Sequence, residues 1–172
     1  MRVTTISDEG LSLIKRFEGL ELEAYQDVAG VWTIGYGHTG DDARLGARIT
    51  EARAEDLLRE DVARFERALA NALPPDTTQE QFDALVSLAY NIGAAAFLGS
   101  TAFRRHLAGD WPGAAEAMAW WNKATINGRK VPVRGLTRRR AAEAALYLSG
   151  APEGVVAACG VKPGTSEAEP LA

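Results

Sequence analysis

The stretch that decides the fold runs from Phe17 to Gly35 and reads FEGLELEAYQDVAGVWTIG. A segment with helical spacing of apolar residues leads into it and ends at Gly19, because glycine readily closes a helix. A strand-like segment then leads to Asp27, and a glycine-containing turn returns the chain as a second strand over 31–36. The sequence therefore predicts a helix followed at once by a β-hairpin, which can bring three polar side chains to one cleft. They are Glu18, Asp27 and Thr33.

Length and composition are those of one globular domain or two tightly joined lobes. The chain has 172 residues, of which 47% are hydrophobic and 24% are charged. Its net charge of -4 argues against general nucleic-acid binding. The single cysteine, Cys159, cannot form an internal disulfide, which suits synthesis in the cytosol. No segment resembles a signal peptide or reaches the roughly 20 apolar residues of a membrane span, so we expect a protein made in the cytoplasm without a signal peptide or membrane insertion.

The remainder of the chain is predicted to be helical. Thr50 begins the longest helix, whose apolar stripe reaches Leu69, and Pro74-Pro75 ends it. Residues 77–80 have a capping-box pattern, and no strand is expected after Pro75. Shorter helices are expected at 101–108, 113–122 and 137–149. The sequence thus predicts an α+β, mainly α fold with an N-terminal α+β lobe over 1–49, a linking helix over 50–73, a helical lobe over 76–150 and a loose tail over 151–172.

The two acids of the first stretch could perform glycoside chemistry. Breaking a glycosidic bond requires a proton for the leaving oxygen and a carboxylate or activated water opposite it. Glu18 ends an apolar helix, where desolvation and the helix dipole favour a protonated carboxyl. Asp27 precedes a turn, a wetter position that suits a carboxylate, and Thr33 could hold a water beside it. However, the chain contains 23 Asp and Glu, so the spacing alone favours ordinary surface acids.

His38 has two interpretations, a general base or a residue that braces a loop. We favour the structural interpretation, with Asp61 in the long helix as its partner. The only other histidine is His106, and the sequence has no cluster of Cys and His. We therefore expect no metal site and no cofactor.

Several separated motifs resemble the phage-type lysozymes, the endolysin family of muramidases. Glu18, Asp27 and the segment 33–38 (TIGYGH) match that family's active-site pattern, with intervals of 9, 6 and 5 residues. Two later segments resemble the family in the same order. They are 89–93 (AYNIG) with Phe97 and Ser100-Thr101, and Gly135-Leu136 with Arg139-Arg140 and Glu143. The resemblance covers about residues 7–150.

This resemblance implies a two-lobed lysozyme fold with a small β-hairpin lobe, a long interlobe helix and a helical C-terminal lobe. It implies hydrolysis, with inversion, of the β-1,4 bond between N-acetylmuramic acid and N-acetylglucosamine in bacterial peptidoglycan, and lysis of the bacterium. Glu18 would be the general acid, Asp27 would direct the water and Thr33 would assist Asp27. The implied substrate-binding residues are Tyr90, Asn91, Ser100 and Arg139. Of these, Arg139 is expected to approach Glu18, whereas Tyr90 could equally pack in the core.

Two alternatives stay open: a lytic transglycosylase acting on the same bond, and a non-catalytic module that binds cell walls. Many lysozymes are basic, but this chain is acidic overall. A stretch over 123–140 nevertheless contains seven Lys and Arg and no acid. It is either a solvated loop and helix start or a basic lip that attracts a polyanion. The expected partner is the peptidoglycan glycan strand, met by a monomer at the cell wall after release.

Overall fold

A computed structural model describes residues 2–27 and 29–152. Across these residues the chain forms seven helices and two antiparallel β-hairpins. In chain order they are α1 (Asp8–Glu18), β1 (Glu21–Gln26), β2 (Trp32–Gly35), α2 (Glu51–Ala72), α3 (Gln79–Ile92), α4 (Ala94–Leu98), α5 (Thr101–Leu107), α6 (Trp111–Ala119), β3 (Lys123–Ile126), β4 (Arg129–Pro132) and α7 (Arg134–Ser149). The fold is α+β and mainly α, as predicted. Most of the tail expected over 151–172 lies outside the described residues.

The helix boundaries follow from local capping chemistry. The side chain of Ser7 accepts a hydrogen bond from the Gly10 backbone N–H at 3.2 Å and begins α1. Thr50 begins α2 in the same way. The capping box of α3 is formed by Thr78 and Gln81, one residue later than the predicted box at 77–80, because the Gln81 side chain reaches back to the Thr78 backbone N–H.

Helix α2 connects two hydrophobic clusters. Its 22 residues span about 33 Å. Leu57 packs with Ile34 of β2 and Ala43 in a small cluster beneath the first hairpin. Leu58 and Leu69 belong to the large cluster formed by the helices. One helix therefore supports both the hairpin and the helical part of the molecule, as a linking helix should.

Helix α3 is the centre of the helical part. Every residue from Gln81 to Ala89 is buried, which is typical of a helix surrounded by others. Both α1 and α7 pack against α3. The Ser7 backbone N–H also donates to Asp83 Oδ1 at 3.0 Å and fixes the start of α1 on α3. Helix α1 precedes the hairpin in the chain, yet it packs with the C-terminal helices.

The prediction that no strand follows Pro75 was wrong. Residues 123–132 form the β3–β4 hairpin, in which Ile126 pairs with Arg129. The turn residues Asn127 and Gly128 both have positive φ, at 49° and 77°, as a two-residue hairpin turn requires. The helix expected at 113–122 consequently ends at Ala119. None of the helices in the described part of the chain is both long and apolar enough to cross a membrane.

Candidate active site

Glu18 is the last residue of α1, and its carboxyl faces the turn that follows β2. Gly19 closes the helix with φ at 74°, and its backbone N–H donates to the Lys15 carbonyl. A Cβ placed on Gly37 would lie 3.5 Å from Glu18 Oε2. The Glu18 side chain is 21% exposed to solvent. The carboxyl is thus reachable from solvent but held beside the base of the first hairpin.

Arg139 of α7 contacts the Glu18 carboxyl directly. Its Nη1 donates to Glu18 Oε1 at 2.5 Å, and its guanidinium lies 5.9 Å from the centre of the Phe17 ring. The predicted approach of Arg139 to Glu18 is confirmed. Arg139 is only 3% exposed, however, so it lies too deep to bind a glycan directly in this conformation. Its place in the site is beside the acid rather than on the surface that would meet a sugar.

A buried cluster of charges lies behind Arg139. Glu143 Oε1 accepts hydrogen bonds from Arg139 Nε at 3.0 Å, Arg140 Nη2 at 3.0 Å and Ser87 Oγ at 2.7 Å. Burial raises the pKa of Glu143, and the two arginines oppose that rise. Burial likewise lowers the pKa of Arg140, while Glu143 opposes the fall. The sequence motif included Glu143 but gave it no role.

Asp27 and Thr33 meet at the tip of the first hairpin. Asp27 Oδ1 accepts from the backbone N–H groups of Ala29 at 2.8 Å and Val31 at 2.9 Å. The Asp27 backbone N–H and the Thr33 hydroxyl both donate to the Val31 carbonyl, at 2.9 and 3.1 Å. This shared acceptor places the Thr33 hydroxyl beside Asp27. The half-exposed Asp27 carboxylate is fixed through Oδ1, and Oδ2 makes no hydrogen bond with the described residues.

The first hairpin connects the three catalytic candidates. Gln26 pairs with Trp32 near its tip and Glu21 pairs with Gly35 at its base. From Thr33 to Gly37, which touches Glu18, an extended chain spans about 14 Å at most. The Asp27–Thr33 pair therefore lies at one end of a short hairpin, and Glu18 lies at the other end.

His38 and Asp61 form the predicted pair. His38 Nδ1 lies 2.8 Å from Asp61 Oδ2, and both side chains are largely buried. The backbone groups of His38 and Ile34 also exchange two hydrogen bonds of 2.9 Å. The pair thus fixes the loop after β2 to α2, and this contact supports the structural interpretation. Within residues 2–27 and 29–152, no group of three or more His, Cys, Asp or Glu could hold a metal ion.

The predicted glycan contacts have differing surroundings. The Tyr90 hydroxyl donates to the Tyr36 carbonyl at 3.0 Å and its ring packs on Phe65, which favours the core interpretation. Burial raises the pKa of Tyr90, and the Glu18 carboxylate adds to the rise. Ser100 is buried, and its hydroxyl accepts from the Phe103 backbone N–H as the N-cap of α5. Asn91 is exposed at the end of α3 and is available to a ligand.

A surface groove that the sequence did not predict lies beside Ser100. It is lined by Ser100, Thr101, Trp120, Trp121 and Lys130, together with smaller residues. Trp120 is 51% exposed and Trp121 is 36% exposed. Lys130 belongs to the β3–β4 hairpin, so one of the residues that line the groove is placed there by strands that the sequence analysis did not predict. An Asn-Gly pair at 127–128 was the available signal.

A mainly helical fold with a small hairpin, and an acid at the end of the first helix, define the class of lysozyme-type glycoside hydrolases. The phage lysozyme family matches residues 15–143. The endolysin of Acyrthosiphon pisum secondary endosymbiont phage 1 is 47% identical over 144 residues, which are 84% of this chain and 98% of that relative. The chain belongs to the phage lysozyme family, whose members are peptidoglycan-lytic hydrolases.

Solved structures agree with this assignment. The endolysin from Escherichia coli O157:H7 phage FAHEc1 superposes with a TM-score of 0.80 at 51% identity, covering 84% of this chain and 93% of that one. The muramidase domain of SpmX from Asticaccaulis excentricus superposes with a TM-score of 0.80 at 46% identity, covering 84% and 97%. Two other phage endolysins match this chain over only 57% and 54% of their own length.

Proposed function

We propose that this chain is an endolysin that hydrolyses the β-1,4 bond between N-acetylmuramic acid and N-acetylglucosamine, inverts the anomeric carbon and so lyses bacteria. The observation that carries the proposal is that the candidate acid, at the end of α1, and the candidate base lie at opposite ends of one short hairpin. Glu18 lies beside the base of this hairpin, and Asp27 is fixed at its tip with Thr33. The similarity to a structure named as a muramidase domain supports the choice of bond.

In this mechanism Glu18 donates its proton to the glycosidic oxygen as the bond from the anomeric carbon to that oxygen breaks. A water attacks the anomeric carbon from the opposite face and forms the new C–O bond. Asp27 accepts one proton of this water. The Thr33 hydroxyl already donates to the Val31 carbonyl, so it can only accept a hydrogen bond from the water. Exchange with solvent returns the proton to Glu18 and removes it from Asp27.

Inversion sets the distance between the two carboxyl groups. The two carboxyl groups must lie roughly 6.5–9.5 Å apart to leave room for the water, whereas a retaining enzyme needs roughly 5–5.5 Å. Arg139 would stabilise the carboxylate that Glu18 becomes after it has given up its proton. The products would then have the opposite anomeric configuration to the substrate, which NMR of the released sugars detects.

The substrate would lie across the cleft and reach the helical part of the chain. Asn91 and the groove with Trp120 and Trp121 offer polar and aromatic contacts of the kind that bind sugars. Five basic residues of the 123–140 stretch are exposed, and they would attract the acidic groups of a cell wall. They are Lys123, Arg129, Lys130, Arg134 and Arg138. We propose that a monomer acts in this way on the wall after release, without a cofactor. Its lobes would be 1–49 and 76–150, except that α1 of the first segment packs on α3 and α7 of the second.

The test compares Glu18→Gln with wild type in clearing peptidoglycan suspensions, followed by the masses of the fragments. Glu9→Gln is the matched control, because Glu9 is an exposed acid on the same helix. We expect Glu18→Gln to lose at least a hundredfold in rate, Glu9→Gln to act as wild type, and each bond cleaved to add one water to the summed mass of its two products. Equal clearing by Glu18→Gln and wild type would refute the proposal. An anhydro product would indicate a lytic transglycosylase, and binding without clearing by wild type would indicate a wall-binding module.

A further inference from the structure

Glu143 is a fully buried carboxylate that the hydrolytic mechanism does not use. Glu143 is 0% exposed, although charged side chains are almost never fully buried unless they are paired. It lies one helical turn after Arg139 on α7 and is separated from Ser87 by 56 positions in the chain. Burying a charge costs stability, so this carboxylate needs a physical explanation.

The contacts of Arg139 indicate what Glu143 does. Each nitrogen of the Arg139 guanidinium has its own acceptor. Nε donates to Glu143 Oε1 at 3.0 Å, Nη2 to the Ser87 carbonyl at 3.3 Å, and Nη1 to Glu18 Oε1 at 2.5 Å. A planar guanidinium held on two sides can rotate very little, so Nη1 is aimed at the candidate acid. Ser87 and Glu143 therefore orient the group that touches Glu18.

The charges of the cluster balance only when Glu143 is counted. Arg139 and Arg140 supply two positive charges, and Glu18 and Glu143 supply two negative charges. Without Glu143, two buried cations would face a single carboxylate. A general acid must carry a proton when the substrate arrives. A second carboxylate behind Arg139 weakens the positive field at Glu18.

Other charged or titratable groups around Glu18 do not perform this balancing. They are Tyr90 from α3, the His38–Asp61 pair beyond Gly37, and Lys15 of α1, which pairs with Glu55. Tyr90 stays neutral because burial raises its pKa. Asp61 is paired with His38 and Lys15 with Glu55, and Arg64 of α2 acts on Tyr90, so Glu143 is the carboxylate that faces both arginines.

We propose that Glu143 is a positioning residue that acts through Arg139, fixing the orientation of its guanidinium and offsetting its charge beside the general acid. The inference rests on the proposed function, because it assigns Glu18 the part of general acid. It predicts an effect on the pH dependence of catalysis, which a purely structural role for Glu143 would not produce.

The experiment measures kcat and KM against pH for wild type and Glu143→Gln, with melting curves to confirm that each protein is folded. In Glu143→Gln the falling, high-pH limb of the profile should move to lower pH by about one unit, because one nearby charge is lost. On that limb kcat falls about tenfold, whereas KM changes little. The control is Tyr147→Phe, since Tyr147 is a buried residue of α7 whose hydroxyl contacts His106. It should lower the melting temperature and leave the limb in place.

A charge-rescue variant separates electrostatics from packing. Glu143→Gln combined with Arg140→Gln removes one charge of each sign, so the limb should return towards its wild-type position.

If Glu143→Gln does not fold, Ser87→Ala is measured instead. This variant keeps every charge and removes one hydrogen-bond donor to Glu143, so kcat should fall several-fold at unchanged KM. The proposal is overturned if the high-pH limb of folded Glu143→Gln stays at its wild-type position, or if the kcat of Ser87→Ala is unchanged. If Glu18→Gln is inactive in the same assay, Glu18 is still supported as the general acid, and only the role of Glu143 is refuted. If Glu18→Gln is active, the proposed function itself has failed.

Discussion

His106 gives the chain a predictable sensitivity to acid. It is 4% exposed, and its ring nitrogens contact the Tyr147 hydroxyl at 2.7 Å and the Thr77 hydroxyl at 3.0 Å. Burial lowers the pKa of His106 from its ordinary value of 6.5 to about 4. The folded protein therefore resists protonation of this ring, whereas the unfolded chain takes up the proton readily.

The sign and size of the effect follow from proton linkage. The stabilisation is present above pH 6.5, and it is lost as the pH falls towards 4, because only the unfolded state binds the proton in that interval. Each unit of pKa difference corresponds to about 1.4 kcal/mol, so His106 accounts for a loss of about 3 kcal/mol in total. About 2 kcal/mol of this loss falls between pH 7 and pH 5.

Urea unfolding of wild type and His106→Gln at pH 7 and pH 5 measures this loss. Glutamine does not titrate but can still hydrogen-bond to Thr77 and Tyr147. Carboxylates that titrate in both proteins cancel in the difference between their free energies of unfolding. The advantage of wild type over the variant should shrink by about 2 kcal/mol between the two pH values. Free energies that fall in parallel for both proteins would refute the assignment of the acid sensitivity to His106.

Two further predictions concern the site and its surface. Gly37→Ala and Gly46→Ala should each cost about 1 kcal/mol or more of stability, because their φ angles of 90° and 75° disfavour alanine. Only Gly37→Ala should also lower the rate, because its new Cβ would lie 3.5 Å from Glu18 Oε2. Equal rates for the two variants would contradict this. Wall clearing should slow as salt is raised from low to high ionic strength, because salt screens the exposed basic residues. A variant with three serines in the β3–β4 hairpin should lose most of that dependence, and a flat wild-type rate would disprove the attraction. The serines replace Lys123, Arg129 and Lys130.

The parts of the fold that depend on local signals could be predicted from the sequence. Thr50 begins the helix that it was expected to begin, since a cap needs only its own next three residues. The β3–β4 hairpin was missed although Asn127-Gly128 was visible. Its strands are only four residues long and exposed on both faces apart from the half-buried Ala124, so no run of buried apolar positions marks them as strands.

The site was predictable as far as the family motif reaches. The resemblance predicted that Arg139 approaches Glu18, and the structure confirms that contact. The burial of Glu143 was not predictable from the chain, because helical periodicity assigns charged residues to the surface. Its burial requires a serine 56 positions away and two arginines on its own helix, an arrangement that only the assembled fold contains.

The pairing of α1 with α7 determines when the site can form during biosynthesis. Glu18 and Arg139 are 121 positions apart, and α7, which carries Arg139, leaves the ribosome after every other helix and strand of the described residues. A nascent chain that has emerged only as far as the β3–β4 hairpin already exposes Glu18, Asp27 and Thr33 but has no cation for the acid. Translation must therefore proceed through α7 before any copy of this protein acquires its assembled acid.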